Sequence, residues 1–157
     1  MNHRSWMGQL RGLTQDELHA FLSRPLIARI ATISEDGYPH VTPLFHYFDG
    51  KDIYLRVREK AEFMRNILRD PRIALSIADD TPPYVRVQIK GRAEIVYGPG
   101  PIEGKWLEVL KKNVVAYMGE RGLDYFLPSA SRPRYIMRVV VERLRAWNGV
   151  EWHPRYL

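Results

Sequence analysis

The sequence predicts a mostly β, α+β fold: a small, mainly antiparallel barrel of six strands with flanking helices. Three observations predict it. Short apolar runs with in/out alternation recur between turn signals, so consecutive strands are joined mostly by hairpins. Three segments switch to helical spacing. The 157 residues contain no repeat, no low-complexity stretch and no flexible linker, so one domain spans 1–157.

The elements follow in order. "LTQDEL" opens a helix, with Thr14 as N-cap, Glu17 three positions on completing a capping box, and Leu13 and Leu18 as a hydrophobic staple. Pro25 disfavours helical geometry at Arg24, so this helix ends near Ser23. "LIARIATIS" reads as a buried strand and "EDG" as a turn. "YPHVTPLFHYF" reads as one further strand, which Pro39 and Pro43 confine to an edge. "DGKD" is a second turn and "IYLRV" a third strand. "EKAEFMRNILRD" is helical, because Phe63 and Ile67, and Met64 and Leu68, lie one turn apart; Pro71 ends it.

"RIALSIA" is the fourth strand. "YVRVQIKGRAEIVY" is the fifth, with Val85, Val87 and Ile89 on one face and Arg86, Gln88 and Lys90 on the other. Gly91 marks a bulge or a close backbone approach. "GPGP" is a hard break. Residues 102–121 read as a helix, with Trp106, Leu110 and Val114 at four-residue spacing, and "LPSASRP" as a loop. "RYIMRVVVERLRAW" is the last strand, followed by an aromatic, basic tail.

Composition narrows the chemistry. The chain has no cysteine, which removes disulfides, thiolate metal sites and cysteine nucleophiles. His40 and His46 would share a strand face roughly 20 Å apart at ~3.3 Å per residue, too far for one metal ion. No run approaches the roughly 20 apolar residues of a membrane span, and the N-terminus lacks the apolar core of a signal peptide, so a cytoplasmic protein with no membrane partner is expected. The net charge of +6 favours anionic partners. Nucleic acid is the lesser of these, because no strand carries an RNP-like aromatic motif.

The stretch "RVREKAEFMRNILRDPRIALSI" concentrates that charge. Arg56, Arg58 and Lys60 stand where a strand passes into a helix, and Arg65 lies just over one turn beyond Lys60. Alternation puts Arg56 and Arg58 on one face. A helix start offers unpaired backbone N–H groups and a favourable dipole to a phosphate. The same cations can instead pair with Glu59, Glu62 and Asp70 on a wet surface. No catalytic acid–base motif, P-loop or G-x-G-x-x-G is present, so no catalytic residue is assigned.

In series, "ARIATISEDGYPHVTPLFHYFDGKDIYL", "RNILRDPRIALSI" and "VQIKGRAEIV" resemble the pyridoxamine 5'-phosphate oxidase-like, FMN-binding split β-barrel family. The resemblance covers roughly residues 26–97 and implies a split barrel and a homodimer with its cofactor at the subunit interface. That cofactor is FMN or, in other members, a deazaflavin; some members bind haem. It implies a small-molecule substrate and oxidoreductase chemistry carried by the flavin. Thr42, Pro43 and Leu44 match the strand that runs along the flavin ring. Arg56, Val57, Arg58, Lys60 and Arg65 match the phosphate region. Arg86 and Gln88 match a position that reaches the cofactor, and Trp147 with the tail "WHPRY" matches a segment laid over it. The chain departs from the family at Glu62 and Phe63, where members carry Lys or Arg, and it lacks the C-terminal "R-x-H" of pyridoxamine phosphate oxidase itself. In a haem-binding or carrier alternative, His40 or His46 would be the ligand.

Overall fold

Each strand is short enough to be bounded by its turn residues, and each places alternate side chains inward. The computed structural model describes residues 11–148. In chain order it contains β1 (Arg11–Gly12), α1 (Gln15–Leu22), β2 (Ala28–Ile33), β3 (Pro39–Leu44), β4 (His46–Phe48) and β5 (Ile53–Arg58). Then follow α2 (Glu62–Arg69), β6 (Arg72–Ala78), β7 (Arg86–Gly100), α3 (Gly104–Met118), α4 (Gly122–Ser129) and β8 (Arg134–Asn148). All pairings are antiparallel, in the order β3-β2-β6-β7-β8-β5-β4, and β1 adds to β8.

The α+β barrel class is as expected, but seven strands lie along the path rather than six. The difference is Phe45. It breaks "YPHVTPLFHYF" into β3 and β4, which then occupy opposite ends of the hydrogen-bonded path. The sheet therefore curls back on itself and is closed by the chain at Phe45, with no ladder between β3 and β4. Pro39 and Pro43 sit on the edge strand, where a missing N–H costs no ladder bond.

Local chemistry sets the elements. Glu17 N donates to Thr14 Oγ1 at 3.2 Å and Thr14 N donates to Glu17 Oε2 at 2.9 Å, the expected capping box. Gly91 lies at a register shift between β7 and β8, and a Cβ there would fall 2.0 Å from the Val140 carbonyl oxygen. Two other expectations are corrected. β7 continues through "GPG" to Gly100, because register shifts after Ile95 and Tyr97 remove the need for a donor at Pro99. The helix expected over 102–121 stops at Met118, where Gly119 takes φ +71°, and α4 fills a segment whose Pro and Ser residues had read partly as loop. Pro128 lies inside α4 and cannot donate to the Asp124 carbonyl.

Two cores result. The barrel interior is filled by side chains such as Ile30, Leu55, Met64, Ile77, Val87 and Ile89. Each contributes roughly 1.5–3 kcal/mol by burial. A second core of Ile102, Trp106, Leu110, Val114, Phe126 and Ile136 fixes the α3–α4 pair over the outside of β5 and β8. That pair roofs one side of the open seam.

Candidate cofactor cleft

The site follows from the alternation of β5. Ile53, Leu55 and Val57 point into the barrel, and Tyr54, Arg56 and Arg58 point outward. Val57, expected near the phosphate, is 1% exposed in the core and can offer a ligand only its backbone. Arg56 is half-buried, with its guanidinium 4.8 Å from the centre of the Phe126 ring. Among the described residues, no carboxylate lies within 4 Å of Arg56, Arg58 or Lys60. Burial, and then the neighbouring Arg134 and Arg58, bring the Arg56 pKa down to about 10. Burial and the charges of Arg58 and Arg132 likewise lower that of Arg134. Desolvated cations that repel one another are a standing demand for an anion.

Two cavities meet at Arg56 and Arg58. A cleft of ≈ 580 Å³ opens between β3 and the start of α2, lined by His40, Thr42, Leu44, Lys60, Ala61 and Glu62 among others. The N-cap of α2, Ala61, has no side chain to cap the helix; Met64 N donates to the Ala61 carbonyl, and the Glu62 and Phe63 N–H groups are left for another acceptor. A second cavity of ≈ 260 Å³ lies under the helical roof, with Tyr54, Trp106, Leu110 and Tyr125 in its walls. Pro43 and Leu44 border both.

The structure thus gathers Thr42, Pro43, Leu44, Arg56, Arg58 and Lys60 in one place. Arg65 is not with them: it lines an outer depression with Asp36 and Tyr38, on the far side of Glu62. Arg86, Gln88 and Trp147 form a separate group on β7 and β8. Arg86 pairs in register with Trp147, its guanidinium 5.5 Å from the ring centre, and Gln88 pairs with Arg145. The Trp147 indole is 8% exposed and its Nε1 has no hydrogen-bond partner among the described residues. The tail "WHPRY" lies outside the described residues.

The two departures from the family have different fates. Phe63 is buried in the barrel core and cannot hold an anion. Glu62 Oε1 instead lies 3.5 Å from His40 Nδ1, and His40 Nε2 lies 2.9 Å from Thr42 Oγ1. A carboxylate, an imidazole and a hydroxyl therefore stand in series along the cleft, where no acid–base group had been assigned. With Nδ1 protonated toward Glu62, His40 can exchange a proton with Thr42 at Nε2. His46 is corrected as a haem ligand. It is 2% exposed, with Nε2 2.8 Å from the Leu22 carbonyl and Nδ1 3.0 Å from the Tyr117 hydroxyl. Burial lowers its pKa, so it is a neutral structural tie.

Sequence reading missed Arg134, Tyr125 and the second role of Trp106. Trp106 was visible only as part of an apolar helix stripe. Arg134 and Tyr125 come to Arg56 through tertiary packing, which no spacing in the chain announces.

A family profile described as pyridoxamine 5'-phosphate oxidase matches residues 14–148. The chain belongs to the pyridoxamine 5'-phosphate oxidase-like family. Solved structures agree. A conserved hypothetical protein, Rv2991, of Mycobacterium tuberculosis is 28% identical, with a TM-score of 0.67 over 87% of this chain and 85% of that one. A protein named F420 reductase is also 28% identical, with a TM-score of 0.64 over 80% of this chain and 94% of that one. An FAD-binding protein of Mesorhizobium loti, 16% identical, has a TM-score of 0.63 over 91% and 98%, and shows the fold alone. The split-barrel family accounts for the seam. The unpaired cations and the uncapped helix start are the donor set a phosphate requires, so the residues present fit a phosphate-bearing cofactor.

Proposed function

We propose that this chain is an oxidoreductase that uses FMN on a small organic acceptor. The observation that carries the reading is the row Arg56, Arg58 and Lys60, with no carboxylate within 4 Å among the described residues, beside the uncapped start of α2. Arg58, Lys60 and the first-turn N–H groups hold the phosphate, with Arg56 behind them. Thr42, Pro43 and Leu44 set the plane along which the ring lies. When bound, the flavin supplies hydride transfer. His40 Nε2 accepts from the Thr42 hydroxyl, with its Nδ1 facing Glu62. The roof formed by α3 and α4 limits water at the inner end of the cleft.

A deazaflavin is the second reading, supported by the 28% likeness to an F420 reductase over 94% of that chain. The reading extends to a homodimer acting in the cytoplasm. Ile95, Val96, Val140 and Val141, exposed on β7 and β8, give apolar surface for a second copy. Among the described residues no helix is long and apolar enough to cross a membrane. The test is the visible spectrum of gently purified protein, with titration by FMN and by F420 and sedimentation of the same sample. Flavin absorption or saturable FMN binding supports the reading, F420 binding alone selects the second, and failure of both overturns it. A single-copy mass removes the dimer.

A further inference from the structure

The ≈ 260 Å³ cavity under α3 and α4 is a different chemical environment from the cleft it adjoins. Its walls carry the rings of Phe45, Tyr47, Tyr54, Trp106 and Tyr125, and among the described residues no Asp or Glu lines it. Its charged groups are Arg58 and Arg56, and the Arg56 guanidinium lies against the Phe126 ring and meets no carboxylate among the described residues. Lys60, Ala61 and Glu62, which border the phosphate cleft, do not border this cavity. Size limits the guest. A cavity of about 150 Å³ holds benzene, so this one takes one substituted ring and has no room for a three-ring flavin within it.

We propose that this cavity is a binding site for a single-ring aromatic carboxylate, its ring among Tyr54, Trp106 and Tyr125 and its carboxylate on Arg56. The planar guanidinium fork matches a carboxylate bidentately, and the absence of competing acids leaves it available. The aromatic walls supply stacked and edge contacts for the ring. The site lies beside Pro43 and Leu44, which also border the cofactor cleft, so a guest there is placed against the ring of a cofactor. As a binding site it stands by itself; as the acceptor site of an oxidoreductase it rests on the reading above.

The test is calorimetric titration of the full chain, without added cofactor and again with FMN, using benzoate, benzamide and acetate as probes. The expected result is saturable benzoate binding, with benzamide and acetate each at least tenfold weaker, since one lacks the charge and the other the ring. Arg56→Met is expected to bring benzoate down to the benzamide level while leaving benzamide unchanged. Tyr125→Ala, on the exposed α4, is expected to weaken benzoate and benzamide together and keep their ratio. The proposal is overturned if benzoate fails to bind, if benzamide or acetate matches it, or if Arg56→Met leaves the preference intact. Should Arg56→Met fail to fold, the wild-type ratios and Tyr125→Ala decide it. Benzoate binding without FMN binding would keep this site and remove the flavin; FMN binding without benzoate would do the reverse.

Discussion

On the outer ladder of β7 and β8, arginines meet carboxylates: Arg92 Nε lies 3.1 Å from Glu142, and Arg138 lies 2.5 Å from Glu94 and 3.8 Å from Asp52. On β5 and at the start of β8, Arg56, Arg58 and Arg134 meet one another instead. Those pairs are exposed, whereas Arg56 is half-buried. Net charge does not distinguish the two regions, since both are rich in arginine. Pairing and burial do. A solvated ion pair adds little to stability and asks for nothing. A desolvated cation without a partner costs stability and is retained for what it binds.

The largest test of that contrast is Arg56→Met. Loss of a partly desolvated, charge-assisted contact is worth about 1.5–3 kcal/mol, so affinity for the benzoate carboxylate, by calorimetric titration, is expected to fall roughly ten- to a hundredfold. Stability in urea should hold or rise, because the unpaired charge is gone. A fall in stability with unchanged affinity would invert the comparison.

The second test is pH. The Arg56 pKa in the folded chain is about 10, below the ordinary arginine value. Between those values the unfolded chain binds the extra proton, so stability gains from this group as pH rises through about 10. Anion affinity has the opposite trend: it is full below about pH 9 and lost as the guanidinium deprotonates. Subtracting the Arg56→Met profile isolates this group from Lys60, and an unchanged difference between pH 8 and pH 10.5 would break the assignment.

Arg138→Met should act on stability alone. The melting temperature is expected to drop by no more than about 3 °C, with FMN affinity unchanged. The smallest effect belongs to Asp70, whose pKa the Arg72 side chain holds down to about 2. A lowered carboxylate pKa gives stability that is present above the unfolded value near 4 and lost as pH falls toward 2. Asp70→Asn should therefore lower stability slightly at neutral pH, leave it unchanged near pH 2, and so flatten the acid limb of a denaturation curve.

Much of the barrel was legible in the chain. The Thr14–Glu17 capping box, the Gly91 bulge and the shared face of Arg56 and Arg58 are local, and local rules found them. Phe45 was not, because nothing in "YPHVTPLFHYF" marks the change from one end of a sheet to the other. α4 was not, because its Pro128 and Ser129 carry loop propensity that packing of Phe126 in the second core outweighs. The phosphate cations were found as a group because they share one strand-to-helix junction. Arg65 lies three residues along α2 from Glu62 and opens on the outer depression instead. The series Thr42–His40–Glu62 was invisible because Glu62 comes to His40 across the cleft. The residue that looked like a defect in the phosphate clamp is the one that faces the imidazole.

Phe45 has one further consequence, for how readily the chain can be remodelled. A barrel sealed by a ladder changes girth only by shifting register, which moves every side chain along a strand. Here the two ends of the sheet are joined by a single residue whose ring stacks on Tyr117 of α3 at 4.0 Å. The gap between β3 and β5 is then set by one pair of backbone torsions and one aromatic stack. Directed variation at Phe45 and Tyr117 is therefore a route to widening or narrowing the pocket for new guests while the hydrogen-bonded wall stays as it is.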